Sequence, residues 1–167
     1  MPPKLVAIVG KSNSGKTTLI TRLLPLFSQS GLKVGSIKHT HHQVELDKPG
    51  KDSWKHRSAG SSRVLLITGS NLALFSKVDS DPTLKELAEL YFSDLDLVVS
   101  EGFKNEDCLK LEIFRSSNNK SPLYLDPNYQ IQAVICDSPP KVSIPVFGLD
   151  DIQEIYVWIC RKLNISY

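Results

Sequence analysis

Eight residues near the N-terminus, Gly10-Lys11-Ser12-Asn13-Ser14-Gly15-Lys16-Thr17, constrain this 167-residue chain more than any others. They satisfy G-x-x-x-x-G-K-[ST] in full and follow directly on an apolar run, Leu5 to Val9, that reads as a buried strand. Directly after them, Lys16 to Phe27 carries Leu19, Ile20, Leu23, Leu24 and Phe27 at helical spacing. Strand, glycine-rich turn and helix in that order make a phosphate-binding P-loop. The glycines let consecutive backbone N–H groups converge on phosphate oxygens, and the positive end of the following helix adds its field. Gly10, Ser12, Asn13, Ser14, Gly15, Lys16, Thr17 and Thr18 are therefore the candidate nucleotide-binding residues. Lys16 is expected to reach the β- and γ-phosphates, the Thr17 hydroxyl to ligate magnesium and Thr18 to meet the α-phosphate. The bland alternative is a Gly-Ser turn that only caps a helix.

Magnesium at a P-loop needs an acid from the end of another strand. Glu101 is the candidate, since Leu97-Val98-Val99-Ser100-Glu101 puts a carboxylate at the C-terminal edge of a buried run, where ligands bind in open α/β sheets. It is expected to bind the metal through water or to orient an attacking water; a structural cap is the alternative. Asp94 and Asp96 stand at the start of the same run and are expected at the opposite rim.

The remaining pattern alternates strands with helices. Strands are expected over Lys33 to Lys38, Leu95 to Val99, Lys110 to Phe114, Ile131 to Cys136 and Pro145 to Phe147, and helices over Ser53 to Ala59, Pro82 to Phe92 and Asp150 to Leu163. Val64 to Thr68 and Leu72 to Phe75, with Gly69-Ser70-Asn71 between them, read as a hairpin within residues 63–76. The expected fold is α/β, a P-loop NTPase-like, mainly parallel sheet with helices on both faces, made mixed by the hairpin. Residues 1–167 are expected to form one nucleotide-binding domain, with 39–60 an exposed functional loop.

Composition narrows the classes. Apolar residues at 41% and charged residues at 23% are globular proportions, and a net charge of +2 with no basic face argues for no nucleic-acid partner. No apolar stretch nears the roughly 20 residues of a membrane span, and Leu5 to Val9 is shorter than the roughly 7–15 residues of an export signal. A cytoplasmic protein is expected. Cys108, Cys136 and Cys160 are odd in number, widely spaced and read as reduced thiols.

Several blocks line up beside the P-loop: Ile37-Lys38-His39-Thr40-His41-His42, Asp47-Lys48-Pro49-Gly50-Lys51-Asp52-Ser53, Arg57-Ser58-Ala59-Gly60 and Ser100-Glu101-Gly102-Phe103-Lys104. Together they closely resemble the molybdopterin-guanine dinucleotide biosynthesis adapter (MobB) family, from Lys4 to about Phe147. The resemblance implies a homodimeric GTP- and magnesium-binding protein, weakly hydrolytic, that assists the guanylyltransferase attaching GMP to the molybdopterin cofactor without being that enzyme. Carried over by position, Lys16 and Thr17 are phosphate and magnesium residues, Glu101 belongs to the EGFK motif and Asp47, Lys51 and Asp52 to the DKPGKDS loop; Lys16 and Glu101 are the candidate catalytic residues, and His39, His41, His42, Asp47, Lys51, Asp52 and Lys104 the candidate partner or substrate loop. Gln43 departs from the pattern, because relatives often carry an acid after the paired histidines. The residues themselves leave that loop open, as an anion- or partner-binding surface or a solvated loop; the histidines fit no zinc template.

Guanine preference has no N-K-x-D signature here, since Asn118-Asn119-Lys120-Ser121 ends in serine. Asp137, after the Ile131 to Cys136 run, is the candidate base reader, against a plain turn at Asp137-Ser138-Pro139. The competing functions are an ATP-dependent small-molecule kinase or dethiobiotin-synthetase-like ligase, and a metal-inserting GTPase. Against the kinase, the arginines Arg22, Arg57, Arg63, Arg115 and Arg161 form no lid-like cluster.

Overall fold

The computed structural model describes residues 2–40, 44, 46–118 and 121–166, arranged as two compact units, one of Met1–His39 with Thr83–Tyr167 and one of Thr40–Pro82. The first contains β1 (Lys4–Val9), α1 (Lys16–Gln29), β2 (Val34–Lys38) and, in the second, α2 (Asp52–Ser58), β3 (Arg63–Thr68) and β4 (Asn71–Ser76) follow. The chain then returns to the first unit with α3 (Leu84–Tyr91), β5 (Leu97–Glu101), β6 (Leu109–Phe114), β7 (Ala133–Cys136), β8 (Val146–Gly148) and α4 (Ile152–Lys162).

The first unit is one six-stranded sheet in the order β2-β5-β1-β6-β7-β8, parallel throughout. Parallel strands need crossover connections, and those put helices on both faces, so the central strands are apolar on both sides. On β1, Val6 and Ile8 face a core shared with Leu19, Ile20, Leu23 and Phe27 of α1 and Ile155, Tyr156 and Ile159 of α4. Ala7 and Val9 face the opposite way, toward Leu123 of a 3₁₀ turn, and Val98 of β5 faces Leu84 and Ala88 of α3. Each large apolar side chain buried in these cores contributes roughly 1.5–3 kcal/mol. The Thr83 side chain starts α3 by accepting the Glu86 N–H while the Glu86 carboxylate accepts the Thr83 N–H, a reciprocal cap.

Two charges break the apolar rule on β6. Lys110 and Glu112 are buried among the second-face side chains. Lys110 Nζ donates to the Glu106 carbonyl at 2.6 Å, and Glu112 accepts the Leu123 and Tyr124 N–H groups at 2.8 and 2.7 Å. Both therefore tie down the irregular backbone that covers that face, and neither is left without a partner. Burial pushes the Glu112 carboxyl above its ordinary range, with the two backbone donors opposing.

The hairpin does not make the sheet mixed. β3 and β4 pair only with each other, with Thr68 opposite Asn71, so the link is Gly69-Ser70 and Asn71 already belongs to the strand. Gly69 at φ 51° takes the first turn position, which suits the twist of a two-residue hairpin. Before it, Lys48-Pro49-Gly50-Lys51 closes a turn with a 3.3 Å hydrogen bond from the Lys51 N–H to the Lys48 carbonyl. Pro49 and Gly50, the latter at φ 82°, sit where a type II turn favours them.

Candidate functional site

The C-terminal ends of β2, β5, β1 and β6 meet at one edge of the sheet. Register sets which residues meet there: Ile8 lies beside Glu101, and Glu101 beside Lys38. The chain leaves β1 at Gly10 with φ 140°, in space that a Cβ would share with the Ile113 carbonyl oxygen of β6. Only glycine lets the loop turn that close to its neighbour strand. Asn13 follows at φ 62° and Gly15 at φ 105°, after which α1 begins at Lys16 with its first N–H groups free of intrahelical partners.

Thr17 Oγ1 donates to Glu101 Oε2 at 2.7 Å, linking residues 84 positions apart. Lys38 Nζ stands 3.5 Å from the other carboxylate oxygen. Lys16 Nζ donates to the Lys11 carbonyl at 2.8 Å, folded back across its own loop. Burial lowers its ammonium below the ordinary lysine value, Glu101 pulls it back up and Lys38 lowers it further. A cavity of about 530 Å³ opens between these groups, with Ser12, Asn13 and Thr18 also on its wall. A hydroxyl from the first turn of α1 and a carboxylate from the end of β5 make a hard oxygen donor set, which fits magnesium better than a thiol- or imidazole-seeking metal.

Two cations on the wall were not singled out by the sequence reading. Lys38 ends β2, and Arg115, the first residue past β6, donates from Nε to the Ser14 carbonyl at 3.0 Å and lines the cavity. The available signal was positional: each is the first or last charge at a C-terminal strand end.

Other expected residues are placed as follows. The His39 N–H donates to the Glu101 carbonyl at 2.9 Å and its ring lies 4.7 Å from that of Phe103. Gly102 at φ 103° is needed here, since a Cβ would come within 3.2 Å of the His39 carbonyl oxygen. Lys104 Nζ sits 5.1 Å over the Tyr129 ring. In the second unit, Asp47 accepts the Ser53 hydroxyl at 3.1 Å with Arg57 at 3.7 Å, and Asp52 pairs with Lys55 at 3.1 Å, which holds its carboxyl below the usual range. Lys51 stands at the cap of α2. His41, His42 and Gln43 lie outside the described residues, and among those described no three His, Cys, Asp or Glu side chains converge as a metal site. Asp137 accepts the Ser116 N–H at 2.9 Å, which lowers its pKa, and is not on the wall of this cavity. Asp96 stands at the opposite rim, accepting the Lys33 N–H at 2.8 Å.

A family model described as molybdopterin guanine dinucleotide synthesis protein B (MobB) matches residues 5–137, most of the chain. The chain belongs to the MobB family. MobB relatives named as molybdopterin-guanine dinucleotide biosynthesis adapter proteins include one from Escherichia coli, 34% identical over 90% of this chain and 88% of its own length. Another, from Haemophilus influenzae, is 36% identical over 96% of this chain and 89% of its own. Among solved MobB structures, that from Bacillus subtilis superposes with a TM-score of 0.77 at 30% identity, covering 96% of this chain and 98% of the other. The α/β fold with its parallel sheet and separate hairpin is thus the MobB fold. No helix of the described residues is long and apolar enough to cross a membrane.

Proposed function

We propose that this chain is a GTP-binding adapter of molybdopterin-guanine dinucleotide biosynthesis, working with magnesium, hydrolysing GTP slowly and assisting the guanylyltransferase step on the molybdopterin cofactor. The observation that carries the nucleotide half is the 2.7 Å Thr17–Glu101 hydrogen bond across the mouth of the P-loop. It brings together a hydroxyl and a carboxylate that would hold a magnesium ion, with Lys16 one residue away. When bound, the ion would supply Lewis-acid neutralisation of phosphate charge. Lys16 would leave the Lys11 carbonyl for the phosphates, the Thr17 hydroxyl and, through water, Glu101 would hold the ion, and the Glu101 carboxylate would orient a water for attack. Family membership and the names of its relatives support the pathway.

Slow turnover fits the openness of this edge: no arginine-bearing lid excludes water among the described residues of the first unit. Each unit is proposed to carry its own partner or substrate contacts, the His39 and Lys104 neighbourhood on the first and Asp47, Lys51 and Asp52 on the second. Homodimerisation is part of the same proposal, supported by the apolar, exposed hairpin.

Calorimetric titration with GTP and magnesium, on wild type and Lys16→Ala, tests the nucleotide half; unchanged affinity in a folded variant would overturn it. Adding the protein to a guanylyltransferase assay tests the adapter half. Dinucleotide formation is expected to rise, and no change at any GTP concentration would remove that role.

A further inference from the structure

A second cavity, of about 270 Å³, adjoins the phosphate cradle. The two share Gly15, Thr18 and Arg115 on their walls, so a ligand anchored by its phosphates in the first reaches the second without leaving the protein surface. Their chemistry differs. The cradle is walled by lysines, hydroxyls and Glu101, whereas the second cavity adds Leu19, Ile113 and Leu149 as apolar walls and places Arg22 and Asp150 at its rim. It lies on the β6 side of the P-loop, away from Glu101 on the β5 side, which is where the α-phosphate end of a nucleotide points if the γ-phosphate faces Glu101.

Arg22, one turn of α1 beyond Thr18, donates from Nη1 to Asp150 Oδ1 at 2.7 Å. Asp150 lies in the short loop between β8 and α4, just before the Asp151 cap of that helix, and its carboxylate is largely exposed while the guanidinium of Arg22 is half-exposed. As a surface ion pair this contributes little to stability. As a recognition edge it is specific: a carboxylate held in place by a guanidinium offers acceptors beside donors.

We propose that this cavity is the nucleoside subsite, that Asp150 is the base-reading residue and that the base it selects is guanine. The inference rests on the nucleotide-binding function proposed above. Guanine presents two adjacent donors, N1–H and the 2-amino group, next to the O6 acceptor. Asp150 accepts the two donors and Arg22, the positioning residue, orients the carboxylate and donates toward O6. Adenine would set its N1 lone pair against the carboxylate, and an edge that accepts two donors disfavours a base that offers an acceptor there. Leu149 and the planar Arg115 guanidinium close on the two faces of the ring. This assignment moves base reading from Asp137, which accepts the Ser116 N–H and does not line this cavity, to a residue of the next strand-end loop that does.

Competition titrations against a fluorescent GDP analogue, with GTP, inosine triphosphate, xanthosine triphosphate and ATP, test it on wild type, Asp150→Asn, Asp137→Ala and Lys16→Ala. Wild type is expected to favour GTP over inosine triphosphate and ATP by at least about tenfold. Asp150→Asn is expected to lose GTP affinity by about tenfold or more and to gain xanthosine triphosphate, whose 2-oxo group accepts the amide's donor, with ATP affinity unchanged. Asp150 is exposed, so the variant is expected to melt at the wild-type temperature. An unchanged GTP-to-ATP ratio in Asp150→Asn overturns the subsite, as does a loss of that ratio in Asp137→Ala alone. Lys16→Ala separates the two levels: if it binds all four nucleotides like wild type, or wild type binds none, the nucleotide-binding function itself falls and the subsite with it.

Discussion

Thr17 and Glu101 lie 84 residues apart in sequence and 2.7 Å apart in space, with the threonine hydroxyl donating to the carboxylate. Two features of the sheet produce that contact. Parallel pairing of β1 with β5 places Ile8 beside Glu101, and the Gly10–Gly15 turn then carries the first residues of α1 back over the strand ends. Glu101 shares the strand face of Leu97 and Val99, which is the face α1 covers, so its carboxylate points at the helix start and not at α3.

Glu101→Gln keeps the shape and removes the charge. Hydrogen bonds and metal contacts to an ionised group are worth about 1.5–3 kcal/mol, so magnesium-dependent GTP affinity is expected to fall roughly ten- to a hundredfold. Titrations with magnesium and with a chelator should converge in the variant. Equal magnesium dependence in both proteins would exclude Glu101 from the metal site.

Nucleotide binding should be sensitive to alkaline pH through Lys16. Its free-state pKa lies below the ordinary 10.5, mainly by burial, and bound phosphates raise it. Affinity is therefore expected to be flat at neutral pH and to fall as pH rises through the lowered free-state value, because binding then takes up a proton. A decline beginning before pH 10.5 in calorimetric titrations with ATP, whose base has no proton to lose in this range, checks this; an affinity that stays flat to pH 10.5 would exclude it.

Glu112→Ala is expected to destabilise the fold. It strands the Leu123 and Tyr124 N–H groups, at about 1–3 kcal/mol for each donor that water does not reach. Urea denaturation measures the loss, and Glu112→Gln, which keeps one acceptor, should recover part of it. A midpoint equal to wild type for Glu112→Ala would mean the 3₁₀ turn is held by other contacts.

The hairpin provides a test of the homodimer. Leu65, Ile67 and Leu72 are 52%, 65% and 64% exposed, and Ile67 pairs with Leu72 across the strands. An apolar two-stranded ribbon of this kind is a recognised association surface. Ile67→Glu with Leu72→Glu is expected to convert a dimer to a monomer in light scattering while GTP affinity stays within a few-fold. A wild-type monomer, or a dimer that survives both charges, would rule the hairpin out.

The sequence by itself determined the local pieces. The P-loop, the helical stripe of Leu19, Ile20, Leu23 and Phe27 and the apolar runs of β1, β5 and β7 are all written in short-range spacing, because periodicity and turn chemistry act over a few residues. The blocks around Lys38, Glu101 and Asp52 carried the family as well. Tertiary structure decided what no local pattern encodes. Register brought Glu101 to Thr17, strand order put Arg115 and Asp150 beside the P-loop and left Asp137 against Ser116, and the hairpin paired with itself instead of joining the sheet. Buried Lys110 and Glu112 were equally illegible, since a charge in a strand reads as exposed until the backbone groups it must satisfy are placed opposite it. Which strands neighbour one another depends on non-local pairing, and every one of those site contacts is a consequence of that pairing.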